Sequence, residues 1–188
     1  MSRDASAGLV GGVFGLVFVL VNAGDLPAPL DLAVRVVGVM ALVAVVGLLL
    51  RSGGGTPLPE AGPRAWKVYR IAVGVEIVAL FGGASLLSRT GHEELGLPWV
   101  VVVVGVHFIP LGWAFGARFF VTLGWILVAL GVLGAILALA GAERPVVSFV
   151  SGVGAGLVLL AFAARPALVR PPRDPQVPAP APRRPPGR

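Results

Sequence analysis

The chain has 188 residues, of which 56% are hydrophobic and only 13% are charged, whereas roughly a quarter of the residues of a water-soluble domain are charged. This composition excludes a water-soluble globular fold and indicates a protein that lies in a membrane. The formal charge of +6 does not require a nucleic acid partner, because most of the positive residues lie in loops and near the C-terminal end, where Lys and Arg set membrane topology.

Six stretches are long and apolar enough, or nearly so, to cross ~30 Å of hydrocarbon as helices, which takes about 20 residues each. In chain order they are 8–23, 30–50, 69–87, 97–115, 119–140 and 146–164. The connections are short and rich in Gly and Pro, apart from 51–68, which we expect to be an exposed loop. The sequence therefore predicts an all-α, polytopic membrane bundle of six transmembrane helices, arranged as three antiparallel hairpins.

The first stretch leaves an alternative open. It is the shortest of the six, it follows Arg3, and it ends in Val21-Asn22-Ala23, which is also typical of a signal peptide that is cleaved after Ala23. Cleavage would leave five spans without inverting any of them, so the distribution of charge does not decide between the two interpretations.

Positive residues fall mainly on one side of the predicted membrane. If the N-terminus faces the cytoplasm, Arg35, Arg89 and Arg144 belong to the outer side, and the other twelve of the 15 Lys and Arg residues lie inside. By the positive-inside rule, both termini should therefore be cytoplasmic. Fourteen of these residues are Arg, and the chain has 27 Gly; this composition is typical of a GC-rich bacterial genome and favours the bacterial plasma membrane.

The last segment, 165–188, contains nine Pro and six Arg. Proline cannot continue a helix and the arginines repel one another, so we expect a disordered, partly polyproline tail in the cytoplasm. Such a tail is either a solvated segment that enforces orientation or a docking strip for a protein partner or for anionic lipid headgroups.

Three ionisable residues lie in the predicted spans away from their ends, where a charge costs about 3 kcal/mol or more. They are Glu76, His107 and Arg35. Helical rise places Glu76 ~10 Å and His107 ~15 Å from the inner edge, so their side chains are within reach if the third and fourth helices are neighbours. Pro110 cannot donate to the carbonyl of Val106, the residue before His107, and this loosened turn could admit water or a ligand. The pair is interpreted either as a titratable polar pocket or as a structural contact that never titrates.

Arg35 has Asp31 four residues before it, a spacing that suits an ion pair at the outer end of the second span. The functional interpretation is an outer vestibule that attracts anions. The structural one is a long Arg side chain that reaches the membrane interface while Asp31 neutralises it.

Small residues at four-residue spacing predict faces for close helix contact. Gly8 with Gly12 forms one such face, and Ser148, Gly152 and Gly156 form another. The first and last helices are therefore expected to pack closely, either within one chain or between the subunits of a homo-oligomer.

The segment Val104–Leu111, which reads Val-Gly-Val-His-Phe-Ile-Pro-Leu, continues to Gly116. It resembles a His-Phe-x-Pro-Leu segment of small, functionally uncharacterised multi-pass membrane proteins of bacteria. The resemblance covers 104–116 only and implies a transmembrane helix centred on His107 and Pro110. It implies no ligand and no reaction.

The leading functional hypothesis is a small transporter-like or permeation protein that uses the Glu76 and His107 pair in the lipid bilayer. The alternative is a non-catalytic scaffold or modulator that acts through helix-packing faces and the basic tail. A membrane enzyme ranks third, because no acid, base and nucleophile cluster at one depth. The chain has no cysteine and only two histidines, so we expect no metal and no cofactor.

Overall fold

The computed structural model describes the backbone of residues 3–51 and 62–168 and the side chains of residues 8–51 and 62–165. All regular structure in these ranges is helical, which confirms the predicted all-α bundle. The helices are α1 (Arg3–Ala23), α2 (Leu30–Arg51), α3 (Pro63–Arg89), α4 (Gly96–Ala114), α5 (Arg118–Leu139), α6 (Arg144–Val147) and α7 (Gly154–Leu168).

Two short elements complete the fold. A 3-10 turn, Glu93–Leu95, precedes α4, and a π-helical segment, Ser148–Val153, connects α6 to α7. Because α6, this segment and α7 follow one another without a break, they are called the last helix below.

In the part of the chain that the structure describes, five helical stretches are long and apolar enough to cross a membrane: Leu30–Arg51, Pro63–Arg89, Glu93–Ala114, Arg118–Leu139 and Arg144–Arg165. Gly8–Ala23 is a shorter apolar helix. The last helix continues to Leu168, beyond the predicted end of the span at 164. The proline at 166 does not stop it there, because so close to a helix end a proline removes only one backbone hydrogen bond. The predicted tail beyond Leu168 and most of the predicted 51–68 loop lie outside the described residues.

The largest helix interfaces are those of α4 with α5 and of α1 with α7. α1 with α2 and α3 with α4 also pack as antiparallel neighbours, but these two contacts are less extensive. α3 is peripheral, because its main contacts are with α4 and with the turn that precedes α4. None of its most apolar 18-residue window is buried, against 56% of the corresponding window of the last helix.

Glycine allows the two largest interfaces to bring backbone against backbone. A Cβ atom on Gly156 would lie 2.6 Å from the carbonyl oxygen of Gly15 on α1, and a Cβ atom on Gly124 would lie 2.6 Å from the carbonyl oxygen of Gly105. Carbon and oxygen atoms cannot approach so closely without displacing a helix. These four positions therefore set the spacing of the bundle interior.

The predicted small-residue positions of the first and last helices lie in contacts within one chain, but the two predicted faces do not pack against each other. A Cβ atom on Gly8 would lie 3.2 Å from the carbonyl oxygen of Ala163, and Gly12 faces Leu42 of α2 as well as Ala163. Gly152 lies against Asn22 of α1, where a Cβ atom would have no room. α1 is thus an integral part of the packed interior.

Candidate functional site

The candidate site lies between α3 and α4, where Glu76 and His107 meet. Nδ1 of His107 is 3.2 Å from Oε2 of Glu76, and the two side chains are only 11% and 20% exposed, respectively. Such low exposure is unusual for ionisable groups. The antiparallel packing of α3 on α4 brings the two residues to the same depth.

The contact of Glu76 with His107 is close, but it is not an aligned hydrogen bond. Nδ1 of His107 is buried, and no hydrogen-bond partner for it exists within the described residues. The carboxylate oxygen therefore lies away from the direction in which a ring N–H at Nδ1 would point. A buried polar atom without a hydrogen bond costs free energy, so a small rotation or a change of protonation would alter the interaction appreciably.

Aromatic rings form the apolar wall of the site toward α5. The ring of Phe108 lies edge-on to the His107 ring, with centroids 5.6 Å apart, and it stacks on Phe120 of α5 at 5.7 Å. Apolar surroundings lower the local dielectric constant and strengthen the interaction between the carboxylate and the imidazole.

Pro110 lies inside α4, which continues as an α-helix to Ala114. Because proline has no N–H, it cannot donate to the carbonyl of Val106, four residues earlier. This carbonyl belongs to the residue before His107. It therefore lacks the usual helical donor four residues further on.

Trp99 joins α4 to α3 one helical turn beyond Glu76, a contact that the sequence did not predict. Its indole Nε1–H donates to the carbonyl oxygen of Ala79 at 3.0 Å, and the ring occupies the space that a side chain at Gly83 would need. A tryptophan N–H seeks an acceptor when it is buried. The signal in the sequence was the pair of small residues Ala79 and Gly83, four positions apart on one face of α3, which leaves room for a large side chain such as Trp99.

A second polar cluster, which the sequence also did not predict, lies where the connection between α1 and α2 meets the start of the last helix. The buried Ser148 hydroxyl donates to Oδ2 of Asp25 at 2.6 Å, and Nε of Arg144 lies 3.2 Å from Oδ1. Nearby, the buried Asn22 amide donates to the carbonyl oxygen of Phe18 at 2.8 Å. The Asp25 cluster, defined as Asp25, Arg144 and Ser148, ties the connection between α1 and α2 to the last helix.

The predicted ion pair of Asp31 with Arg35 is wrong. Among the residues whose side chains are described, the ion pairs join His92 to Glu94, His107 to Glu76 and Arg144 to Asp25. The guanidinium of Arg35 instead extends toward Gly24, where a Cβ atom would lie 3.4 Å from it. A long Arg side chain can reach the polar end of its helix in this way, so its charge can be solvated without an ion pair to Asp31.

Within the described ranges, no three His, Asp or Glu side chains come close enough to hold a metal ion. Comparison of the chain with models of protein families, with curated proteins and with solved structures found no match in any of the three. The function of the site must therefore be argued from its geometry.

Proposed function

We propose that the chain is a small transporter-like or permeation protein of the bacterial plasma membrane, with cytoplasmic termini, and that Glu76 and His107 accept and release the proton that drives it. The observation that carries the proposal is the 3.2 Å contact of two mostly enclosed ionisable groups on two apolar helices. Ionisable residues inside a membrane span are costly and usually serve transport or proton transfer.

The pair can hold one proton without a net charge. A carboxylate beside an imidazolium is neutral overall, and so is a carboxylic acid beside a neutral imidazole. A second proton leaves one net positive charge, and loss of the only proton leaves one net negative charge. Since either net charge is expensive in hydrocarbon, proton uptake or release would change the free energy of the α3–α4 contact.

α3 is the element that can respond to such a change. Its main contacts are with α4, and the close glycine contacts of the bundle interior do not involve it. A shift or rotation of α3 would therefore leave the α1–α7 and α4–α5 interfaces intact. The Val106 carbonyl, to which Pro110 cannot donate, would offer a polar group to water or to a ligand entering beside His107.

Proton flux into proteoliposomes that contain the full chain tests this proposal, with a pH-sensitive dye inside the vesicles. We expect Glu76→Gln, which keeps the shape of the side chain, and His107→Ala each to lower the flux at least about tenfold, which corresponds to about 1.4 kcal/mol in the limiting step.

Glu94→Gln is the matched control. Glu94 and His92 form a contact of the same chemistry and the same 3.2 Å length, but their side chains are about half exposed. This variant should retain full flux. Full flux in both Glu76→Gln and His107→Ala, with the helical fold retained, would contradict the proposal.

The second candidate function is a non-catalytic scaffold. It is favoured by the exposed apolar surface of α3, which includes Ile71, Val75, Val78 and Phe81, and by the basic tail as a further contact for a protein partner. This function predicts no proton flux in the wild-type chain and no effect of Glu76→Gln beyond stability. The wild-type flux measurement therefore separates the two candidates.

A further inference from the structure

The end of the bundle at which α3 and α5 begin is strongly basic and is called the basic end. Its exposed cations are Arg51, Arg64, Lys67, Arg70, Arg118 and Arg165. None of them takes part in an ion pair with a side chain that the structure describes. The described acidic side chains lie at the opposite end or, for Glu76, between the two ends. Within the described residues, no acidic side chain neutralises the charge of the basic end.

An open depression lies at the turn between α4 and α5, within the basic end. Gly116 turns the chain with a φ of +62°, which glycine adopts without strain. At Gly112 the two helices come so close that a Cβ atom would lie 2.8 Å from the backbone nitrogen of Val121. The depression is lined by Gly112, Trp113, Gly116, Arg118, Val121 and Thr122.

Aromatic contacts connect this turn with the neighbouring helix ends. Trp66 of α3 lies edge-on to Phe115, with ring centroids 6.2 Å apart, so the start of α3 lies beside the turn. The guanidinium of Arg165 on the last helix lies 6.0 Å from the ring of Phe119. Trp113, at 73% exposure, presents a large apolar surface next to these cations.

We infer that the α4–α5 turn binds a phospholipid with a negatively charged headgroup, with Arg118 on the phosphate and Trp113 against the acyl chain. Basic pockets between helix ends at a membrane surface bind such headgroups, and tryptophan is favoured at this depth because one part of it is apolar. A free phosphate or a nucleic acid would contact only the cations. A phospholipid contacts both the cation and the apolar ring, and Arg118 and Trp113 line the same depression.

The test is lipid retention by the full chain, purified in a neutral detergent and examined by native mass spectrometry. Phosphatidylglycerol, phosphatidylcholine and inorganic phosphate are added separately. We expect phosphatidylglycerol to be retained in preference to phosphatidylcholine, and Arg118→Gln to weaken its binding about fivefold, which is the factor that one interfacial cation contributes.

Two variants keep the test specific. Arg118→Lys retains the charge and should restore most of the binding, whereas Arg89→Gln removes an exposed cation from the opposite end and should leave the binding unchanged. Thermal unfolding without lipid checks that each variant is folded. Equal retention of the two lipids, equal binding of phosphate alone, or equal effects of Arg118→Gln and Arg89→Gln would overturn the inference. Proton flux does not enter this measurement, so its result is independent of the proposed function.

Discussion

The interior of the bundle and α3 are held in place by different means. In the interior, α1 meets the last helix at Gly15 and Gly156, and α4 meets α5 at Gly105 and Gly124, so that backbones are in direct contact. α3 has no such contact with the interior. It is attached to α4 by side chains, through the indole of Trp99, the imidazole of His107 and the ring contact of Trp66 with Phe115.

This difference indicates which region is able to move. Backbone contacts at glycine depend on shape alone and are lost when a helix shifts by a fraction of an ångström. A side chain can change rotamer and follow its partner, at a cost of order 1 kcal/mol. The ionisable pair lies in the region that tolerates displacement, and the Asp25 cluster, whose two carboxylate oxygens both have partners, lies in the region that does not.

The largest effect is expected from adding one methyl group to the interior. In Gly156→Ala the new Cβ atom would lie 2.6 Å from the carbonyl oxygen of Gly15 and 2.7 Å from a methyl group of Val19. Since the backbone cannot yield without moving α1, we expect a loss of about 2 to 3 kcal/mol in the free energy of unfolding. Chemical unfolding of the chain in mixed micelles measures this loss.

Gly74→Ala is the control on α3. No atom outside its own helix and its chain neighbours lies within 4 Å of the position of a Cβ atom at Gly74, and alanine is the better helix former by about 1 kcal/mol. We expect this variant to be unchanged or slightly more stable. Equal destabilisation by the two substitutions would show that the distinction between the interior and α3 is wrong.

The parts of the fold that follow from hydropathy and charge could be predicted from the sequence. The all-α bundle follows from apolar stretches of membrane length, and the proximity of Glu76 to His107 follows from helical rise and a short connection. The first inference depends on residues that are close in the chain, and the second depends on the depth of each residue in its span, which the helical rise fixes.

The pairing of the interior helices could not be predicted in the same way. The stripes of small residues indicate close-contact faces on the first and last helices, but they do not distinguish a contact within one chain from a contact between subunits. The contact of Ser148 with Asp25 joins residues 123 positions apart, and the π-helical segment that contains Ser148 has no sequence signal at this level. Both depend on the completed packing.

A smaller effect is expected at the Asp25 cluster. Ser148→Ala removes the hydroxyl that donates to Oδ2 of Asp25 and leaves Arg144 as the remaining partner of the carboxylate. A hydrogen bond to a charged group contributes about 1.5 to 3 kcal/mol, and the partial exposure of Asp25 reduces this to about 1 to 2 kcal/mol. Unfolding in mixed micelles measures the change, and proton flux should be unaffected at temperatures where the variant is folded.

Ser148→Thr is the matched control, since it keeps a hydroxyl group. It should recover part of the lost stability, limited by the room for its extra methyl group in a buried position. If Ser148→Ala proved as stable as the wild-type chain, the Asp25 cluster would not contribute to holding the α1–α2 connection against the last helix.

The smallest effect is expected at Trp99, and it should be confined to α3. Trp99→Phe keeps most of the ring but removes the N–H that donates to the carbonyl of Ala79, which contributes about 1 kcal/mol. Because α3 has few other attachments, we expect faster hydrogen exchange of its amides and little change in α1, α5 and the last helix. Trp125→Phe, at an exposed position on α5, should change hydrogen exchange neither in α3 nor in the other helices. Uniformly faster exchange in all helices of Trp99→Phe would mean that α3 unfolds together with the interior and cannot move independently of it.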